Sequence, residues 1–294
     1  MFTTLIEPFE LAPHADGAGA DTPRWVIIDC RFELSRPEWG AQAFAAGHIP
    51  GAQYAHLDRQ LAGEHGPATG RHPLPAPEAL AATFGTFGIG EATQVVAYDQ
   101  GPGAYAARLW WLLRWLGHQR VAVLNGGFAA WERAGLPVSR VPGAPQPVRF
   151  SPRPADGMLV TTAALERALA AGELARGEPL LVDARSAERF AGENETLDPV
   201  AGHIPGARNH PYATNQDSDG RFLAPAELRR RWLATLGTRA PSEVVAMCGS
   251  GVTACHNLLA LEAAGLAGAR LYAGSWSEWI RDPRRPVARG AAPV

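Results

Sequence analysis

The residues best suited to chemistry are gathered in Cys248-Gly249-Ser250-Gly251-Val252-Thr253, followed by Ala254-Cys255. Sulfur chemistry needs a thiolate, and a thiolate needs hydrogen-bond donors or positive charge beside it. The apolar run Val244 to Met247 reads as a buried strand ending at Cys248, and Thr253 to about Ala264 reads as a helix. Such a junction aims the first unpaired N–H groups of the helix, and the positive end of its dipole, at the sulfur. Glycine at 249 and 251 lets the main chain curl around an anion. The pattern predicts a Cys248 nucleophile cupped by the amides of Gly249 to Thr253. Taken alone, a cysteine at a strand end is more often a small core residue. The comparison within the chain favours the reactive reading.

Gly47-His48-Ile49-Pro50-Gly51-Ala52 recurs letter for letter as Gly202-His203-Ile204-Pro205-Gly206-Ala207. Around it, Val26 to Arg31 answers Leu181 to Arg185, Val95 to Asp99 answers Val244 to Cys248, and Gly126 to Trp131 answers Gly274 to Trp279. Repetition on this scale is a domain duplication. Each copy reads as strands alternating with helices. The strands fall at Trp25 to Asp29, Gln94 to Tyr98 and Val121 to Leu124, then at Leu180 to Asp183, Val244 to Met247 and Arg270 to Tyr272. Helices fall at Pro77 to Phe84 and Ala104 to Leu116, then at Thr162 to Ala170, Pro225 to Leu236 and Thr253 to Ala264. This alternation predicts an α/β fold, with a mainly parallel sheet flanked by helices in each copy. The expected domains are residues 1–141 and 157–294, joined by a proline-rich linker over 142–156.

Features common to both copies read as scaffold. The Pro-Gly pairs suit type II turns, and Asp29 with Arg31, like Asp183 with Arg185, is expected to tie a strand end to a neighbouring loop. The chemistry should lie in the differences. Asp99 stands where the second copy has Cys248; it cannot act as a sulfur nucleophile and would itself use the loop's donors, so the first copy should be inert. Arg189 answers Ser35 and offers a cation for an anionic substrate.

The chain has 294 residues, 46% of them hydrophobic and 19% charged, with a formal net charge of -2. These values suit soluble globular domains and give no electrostatic case for nucleic acid. All its cationic Lys and Arg positions are arginine. No stretch approaches the roughly 20 apolar residues of a membrane helix, and the start has no export pattern. The three cysteines, Cys30, Cys248 and Cys255, make no disulfide framework, which points to the cytoplasm. Cys30 and Cys255 are expected to pack in the cores, with a resolving thiol as the alternative for Cys255. Trp110, Trp111, Trp131, Trp276 and Trp279 are expected to pack as well.

With its paired turns, proline-rich linker, Asp99 opposite Cys248, and Cys-Gly-Ser-Gly-Val-Thr loop, the sequence resembles the tandem rhodanese family of sulfurtransferases over nearly its whole length. The resemblance implies that Cys248 takes a sulfane sulfur from a small donor as a persulfide and passes it to a thiol, such as thioredoxin or a low-molecular-weight thiol, or to cyanide. It implies no metal, flavin or nucleotide cofactor. The small uncharged loop is similar to that of the 3-mercaptopyruvate enzymes, and thiosulfate enzymes usually carry charges where Gly249 and Ser250 stand. Arg189 matches one of the arginines that bind the mercaptopyruvate carboxylate. The second has no match: residues 192–198 are acidic there, and a donor carboxylate would be expected to meet negative charge. Asp58 and His72 match, by local context, an aspartate and a histidine that the mercaptopyruvate group pairs with the loop serine, here Ser250. Two other readings remain: a persulfide carrier loaded by a protein partner, and a cysteine phosphatase. The phosphatase would need an arginine about six residues after the cysteine, where Ala254 and Cys255 stand.

Overall fold

The computed structural model describes residues 1–15 and 24–291. It divides into two compact units. The first comprises Met1–Gly63, Leu74–Ala155 and Gln216–Phe222; the second comprises Glu64–Pro73, Asp156–Asn215 and Leu223–Val294. These limits depart from the expected 1–141 and 157–294 at two insertions. Residues 64–73 belong with the second unit because Arg71 N–H donates to Ser277 Oγ at 2.9 Å and Arg281 Nε donates to the Thr69 carbonyl at 2.9 Å. Residues 216–222 belong with the first because Phe222 N–H donates to Asn125 Oδ1 at 2.8 Å and Arg221 pairs with Glu7. The expected linker carries no helix or strand over 142–155, and Gly143 N–H donates to the Ala52 carbonyl of the first unit at 2.8 Å.

In the first unit β1 (Leu5–Ile6), β2 (Trp25–Asp29), β3 (Gln53–Tyr54), β4 (Gln94–Tyr98) and β5 (Val121–Leu124) form a sheet of order β1-β5-β4-β2-β3. In the second, β6 (Leu180–Asp183), β7 (Arg208–Asn209), β8 (Val244–Met247) and β9 (Arg270–Leu271) form a sheet of order β7-β6-β8-β9. Every strand pair is parallel. β4 and β8 are buried along their whole length, as expected of apolar strands covered on both faces. Around them pack Trp131 and Phe128 in the first unit, and Trp276, Trp279 and Phe190 in the second. All five tryptophans singled out from the sequence are at most 1% exposed, which makes them core.

The shared motifs do the same work in both units. Gly51 (φ 75°) and Gly206 (φ 87°) occupy the left-handed position of a turn closed by Ala52 N–H to the Ile49 carbonyl and Ala207 N–H to the Ile204 carbonyl, each at 3.0 Å. Arg31 forks onto Asp29 and donates to the Gly47 carbonyl at 2.7 Å; Arg185 forks onto Asp183 and donates to the Gly202 carbonyl at 2.8 Å. Each arginine also lies over an aromatic ring, Phe128 or Trp276. The pairs therefore tie a strand end to the turn-bearing loop. Strand register sets Asp29 beside Tyr98 and Asp183 beside Met247, so each pair stands beside the last residue of the central strand, one position before Asp99 or Cys248.

Breaking a buried ion pair by removing one partner leaves an uncompensated charge. Asp29→Ala is expected to lower the stability of the first unit by about 3–5 kcal/mol, read as a fall in the urea midpoint. A change below about 1 kcal/mol would place the pair among weak surface contacts.

Candidate active site

Met247 closes β8, and the chain turns through Cys248-Gly249-Ser250-Gly251-Val252 into the helix Thr253–Ala263. The loop is anchored from behind by Ser275, whose Oγ accepts the Cys248 N–H at 3.0 Å and donates to the Tyr272 carbonyl at 2.9 Å. Ser275 holds φ at 54°, a conformation costly for a residue with a Cβ, and the first unit has Gly127 (φ 58°) at the answering position. Trp276 N–H donates to the Cys248 carbonyl at 3.0 Å and Ser277 N–H to the Gly249 carbonyl at 2.8 Å. The same ladder recurs in the first unit as Phe128 N–H to the Asp99 carbonyl and Ala129 N–H to the Gln100 carbonyl.

Gly251 N–H donates to Cys248 Sγ at 3.1 Å. Gly251 has φ 80°, and a Cβ there would lie 2.3 Å from the Ala273 carbonyl oxygen, so glycine is required on two counts. Cys248 is 2% exposed. The twin loop shows what this junction does with negative charge. Asp99 Oδ1 accepts the amides of Gly101 and Gly103 at 3.1 and 2.8 Å, and its Oδ2 accepts those of Tyr105 and Ala106 at 2.9 and 3.4 Å. Burial pushes the Asp99 carboxyl up, and these four N–H groups pull it back towards the charged form. The loop of the first unit is thus filled by its own side chain, as the sequence suggested.

Of the other expected site residues, Ser250 is 6% exposed, and its Oγ lies 2.7 Å from Nδ1 of His72, itself 3% exposed. Val252 is buried and Thr253 is half-buried at the helix start. Asp58 is exposed in the first unit, on the helical turn Leu57–Leu61, with its amide donating to His56 Nδ1 at 3.2 Å. Cys255 is fully buried and donates to the Gly251 carbonyl at 3.2 Å, bracing the loop. Cys30 is also buried; desolvation, with Asp29 and Asp99 nearby, raises its thiol well above the usual range. No group of three or more metal-ligating side chains occurs among the described residues.

Arg189, on the short helix Ala187–Ala191, lies beside Gly249: a Cβ there would be 3.5 Å from its Nη2 and 3.7 Å from its Nη1. The acidic segment does not confront a ligand with bare negative charge, contrary to the sequence expectation. Glu195 accepts Arg189 Nε on both oxygens at 3.0 Å and pairs with Arg185 at 3.3 Å; Asp198 pairs with Arg189 at 3.2 Å and with Arg71 at 2.7 Å. Burial raises the Glu195 carboxyl, but Arg189 and the amides of Leu197 and Asp198 outweigh it and hold the group below the ordinary carboxylate range. Around Arg185, burial works against the charge; Asp183 first and then Glu195 and Cys248 overcome it, and its already high value rises. The sequence reading missed Arg71, although it singled out the next residue, His72. A Cβ on Gly249 would lie 3.2 Å from Arg71 Nη2.

Comparison with known proteins agrees with this arrangement. Residues 17–134 and 162–282 each match the rhodanese-like domain. The chain is 50% identical over 270 residues to a probable 3-mercaptopyruvate sulfurtransferase of Pseudomonas aeruginosa, covering 91% of this chain and 93% of that protein. It is 39% identical over 266 residues to the putative thiosulfate sulfurtransferase SseB of Mycobacterium tuberculosis, covering 90% and 91%. Among solved structures, the 3-mercaptopyruvate sulfotransferase SseA of Escherichia coli superposes with a TM-score of 0.76 at 31% identity, covering 94% of this chain and all of that one. With two matching domains, a shared sheet order around each central strand and relatives of this closeness, the chain belongs to the tandem rhodanese family of sulfurtransferases.

Proposed function

We propose that Cys248 accepts a sulfane sulfur from a small anionic donor, 3-mercaptopyruvate in preference to thiosulfate, and transfers it as a persulfide to a thiol or to cyanide. The observation that carries this reading is the Cys248 sulfur at the end of β8, receiving the Gly251 N–H, with the Arg189 guanidinium beside the next residue. In the first half-reaction the Cys248 thiolate attacks the sulfur of mercaptopyruvate. An S–S bond forms, the C–S bond breaks, and its electron pair leaves on carbon as the enolate of pyruvate, which takes up a proton. The donor's S–H proton stays on the outer sulfur. Ser250, hydrogen-bonded to His72, offers a hydroxyl relay for the proton the enolate needs. In the second half-reaction the acceptor thiolate attacks the outer sulfur, taking it away and returning Cys248 as thiolate. With thiosulfate, an S–S bond breaks instead and sulfite leaves. Covalent storage on Cys248 splits the transfer in two, the basis of ping-pong kinetics.

The mercaptopyruvate preference is supported by the uncharged residues at 249 and 250, by the arginines beside them, and by the name of the 50%-identical relative. Nothing in the steps requires a cofactor. Thioredoxin or a low-molecular-weight thiol would serve as acceptor, and three cysteines that form no disulfide suit a reducing cytoplasm. Among the described residues no helix is long and apolar enough to cross a membrane. We assign the nucleophile to residues 157–294, with His72 brought to it by residues 64–73 of the second unit, and a silent role to the loop of the first unit, where Asp99 takes up its own loop's amides.

Cys248→Ser is expected to remove turnover with either donor while leaving the thermal midpoint within a few degrees; activity near that of the unaltered protein would end the assignment. With cyanide as acceptor, kcat/KM should be at least about tenfold higher for mercaptopyruvate than for thiosulfate, and the reverse order would make thiosulfate the donor. Arg189→Ala should raise KM for the anionic donor by about 10- to 100-fold, the loss of a charge-assisted hydrogen-bonding group. An unchanged kcat/KM would take Arg189 out of the site.

A further inference from the structure

One buried carboxylate steers two guanidiniums towards the nucleophile's loop. Asp198 Oδ1 accepts Arg71 Nη1 at 2.7 Å, and Oδ2 accepts Arg71 Nη2 at 3.4 Å and Arg189 Nη2 at 3.2 Å. Its side chain is 2% exposed, so this charge sits in place of water and both arginines are held at fixed angles. Both guanidiniums reach the same spot, within 3.2 to 3.7 Å of where a Cβ on Gly249 would be. Hydrogen-bonding capacity is left over there. Arg71 Nε is buried with no partner, and Arg189 spends its Nε and Nη2 on Glu195 and Asp198. A buried N–H without an acceptor is unfavourable, so this arginine is not fully satisfied by its protein partners.

We infer that Arg71 is the second cation of the donor site: with Arg189 it forms a two-guanidinium clamp for a carboxylate beside Gly249, and Asp198 is the positioning residue that sets the two forks against each other. This rests on the sulfurtransferase reading with a carboxylated donor. The second arm enters from residues 64–73, where Arg71 N–H is tied to Ser277 Oγ. Asp198, in the stretch where the resemblance places an arginine, acts as the anchor for that arm. Two planar forks match the two oxygens of a carboxylate in a way a lysine's point charge does not.

The test is steady-state kinetics of the full chain with 3-mercaptopyruvate and cyanide, together with competitive inhibition by pyruvate, which keeps the carboxylate and lacks the thiol. Arg71→Ala is expected to raise KM and the pyruvate inhibition constant together by about 10- to 100-fold, with kcat within about threefold. Arg71→Lys should recover only part of the loss, and Asp198→Asn should move KM and pyruvate inhibition the same way by about three- to tenfold at nearly constant kcat. Thermal midpoints of all three variants establish that they are folded. A fall in kcat with KM and pyruvate inhibition unchanged would reduce Arg71 to a structural brace and overturn the clamp, as would full recovery by lysine. Failure of the unaltered protein to turn over mercaptopyruvate would instead remove the proposed function on which the clamp rests.

Discussion

Both units are built on a central strand that ends shortly before a helix begins, so that main-chain amides of the junction turn towards the side chain that follows the strand. In the first unit the charge is built in: the Asp99 carboxylate takes four N–H groups and leaves the loop saturated. In the second, a shorter and softer side chain occupies the same place, and Gly251 N–H meets its sulfur. Cysteine engages fewer of the loop's donors than the carboxylate does. That difference in the residue at the junction, on an otherwise common backbone ladder, is what the proposed division between a silent and a sulfur-transferring unit rests on.

The common scaffold explains why one residue can make so large a difference. Asp29 with Arg31 and Asp183 with Arg185 bind the same strand end to the same Pro-Gly loop, and His48 stacks on Phe44 as His203 stacks on Phe190. Each histidine also engages the carbonyl of the residue it stacks on, at 2.7 or 2.8 Å. Because these ties are made alike in each unit, the residue at the end of the central strand can differ while the frame around it stays the same.

What was legible in the sequence follows from the range of the interactions involved. β2, β4, β6 and β8 show as apolar runs of four or five residues, and the helices Pro225–Leu236 and Thr253–Ala263 as long segments that follow them. β1, β3 and β7 are two residues long, too short for any periodicity, and exist because a neighbouring parallel strand supplies their partners. Cys248 was legible because strand, glycines and helix are contiguous around it. Arg71 was not, because its meaning comes from Asp198, 127 positions away. Glu195 and Asp198 read as repulsive in sequence for a different reason: Arg185 and Arg189 stand within ten positions of the carboxylates they meet, but only the folded loop turns those side chains onto them.

Those pairings also change the kind of recognition the site can perform. Asp183, Glu195 and Asp198 face Arg185, Arg189 and Arg71, three charges against three, so the cluster projects little net field. An anionic donor is therefore not drawn in by long-range attraction, as it would be by a bare basic patch. What the cluster offers is direction: guanidinium groups held by buried carboxylates beside Gly249. Such a site discriminates by the shape and acceptor geometry of the ligand more than by its charge. For a carboxylated donor such as the one proposed, that arrangement selects by acceptor geometry in a way an excess of positive charge would not.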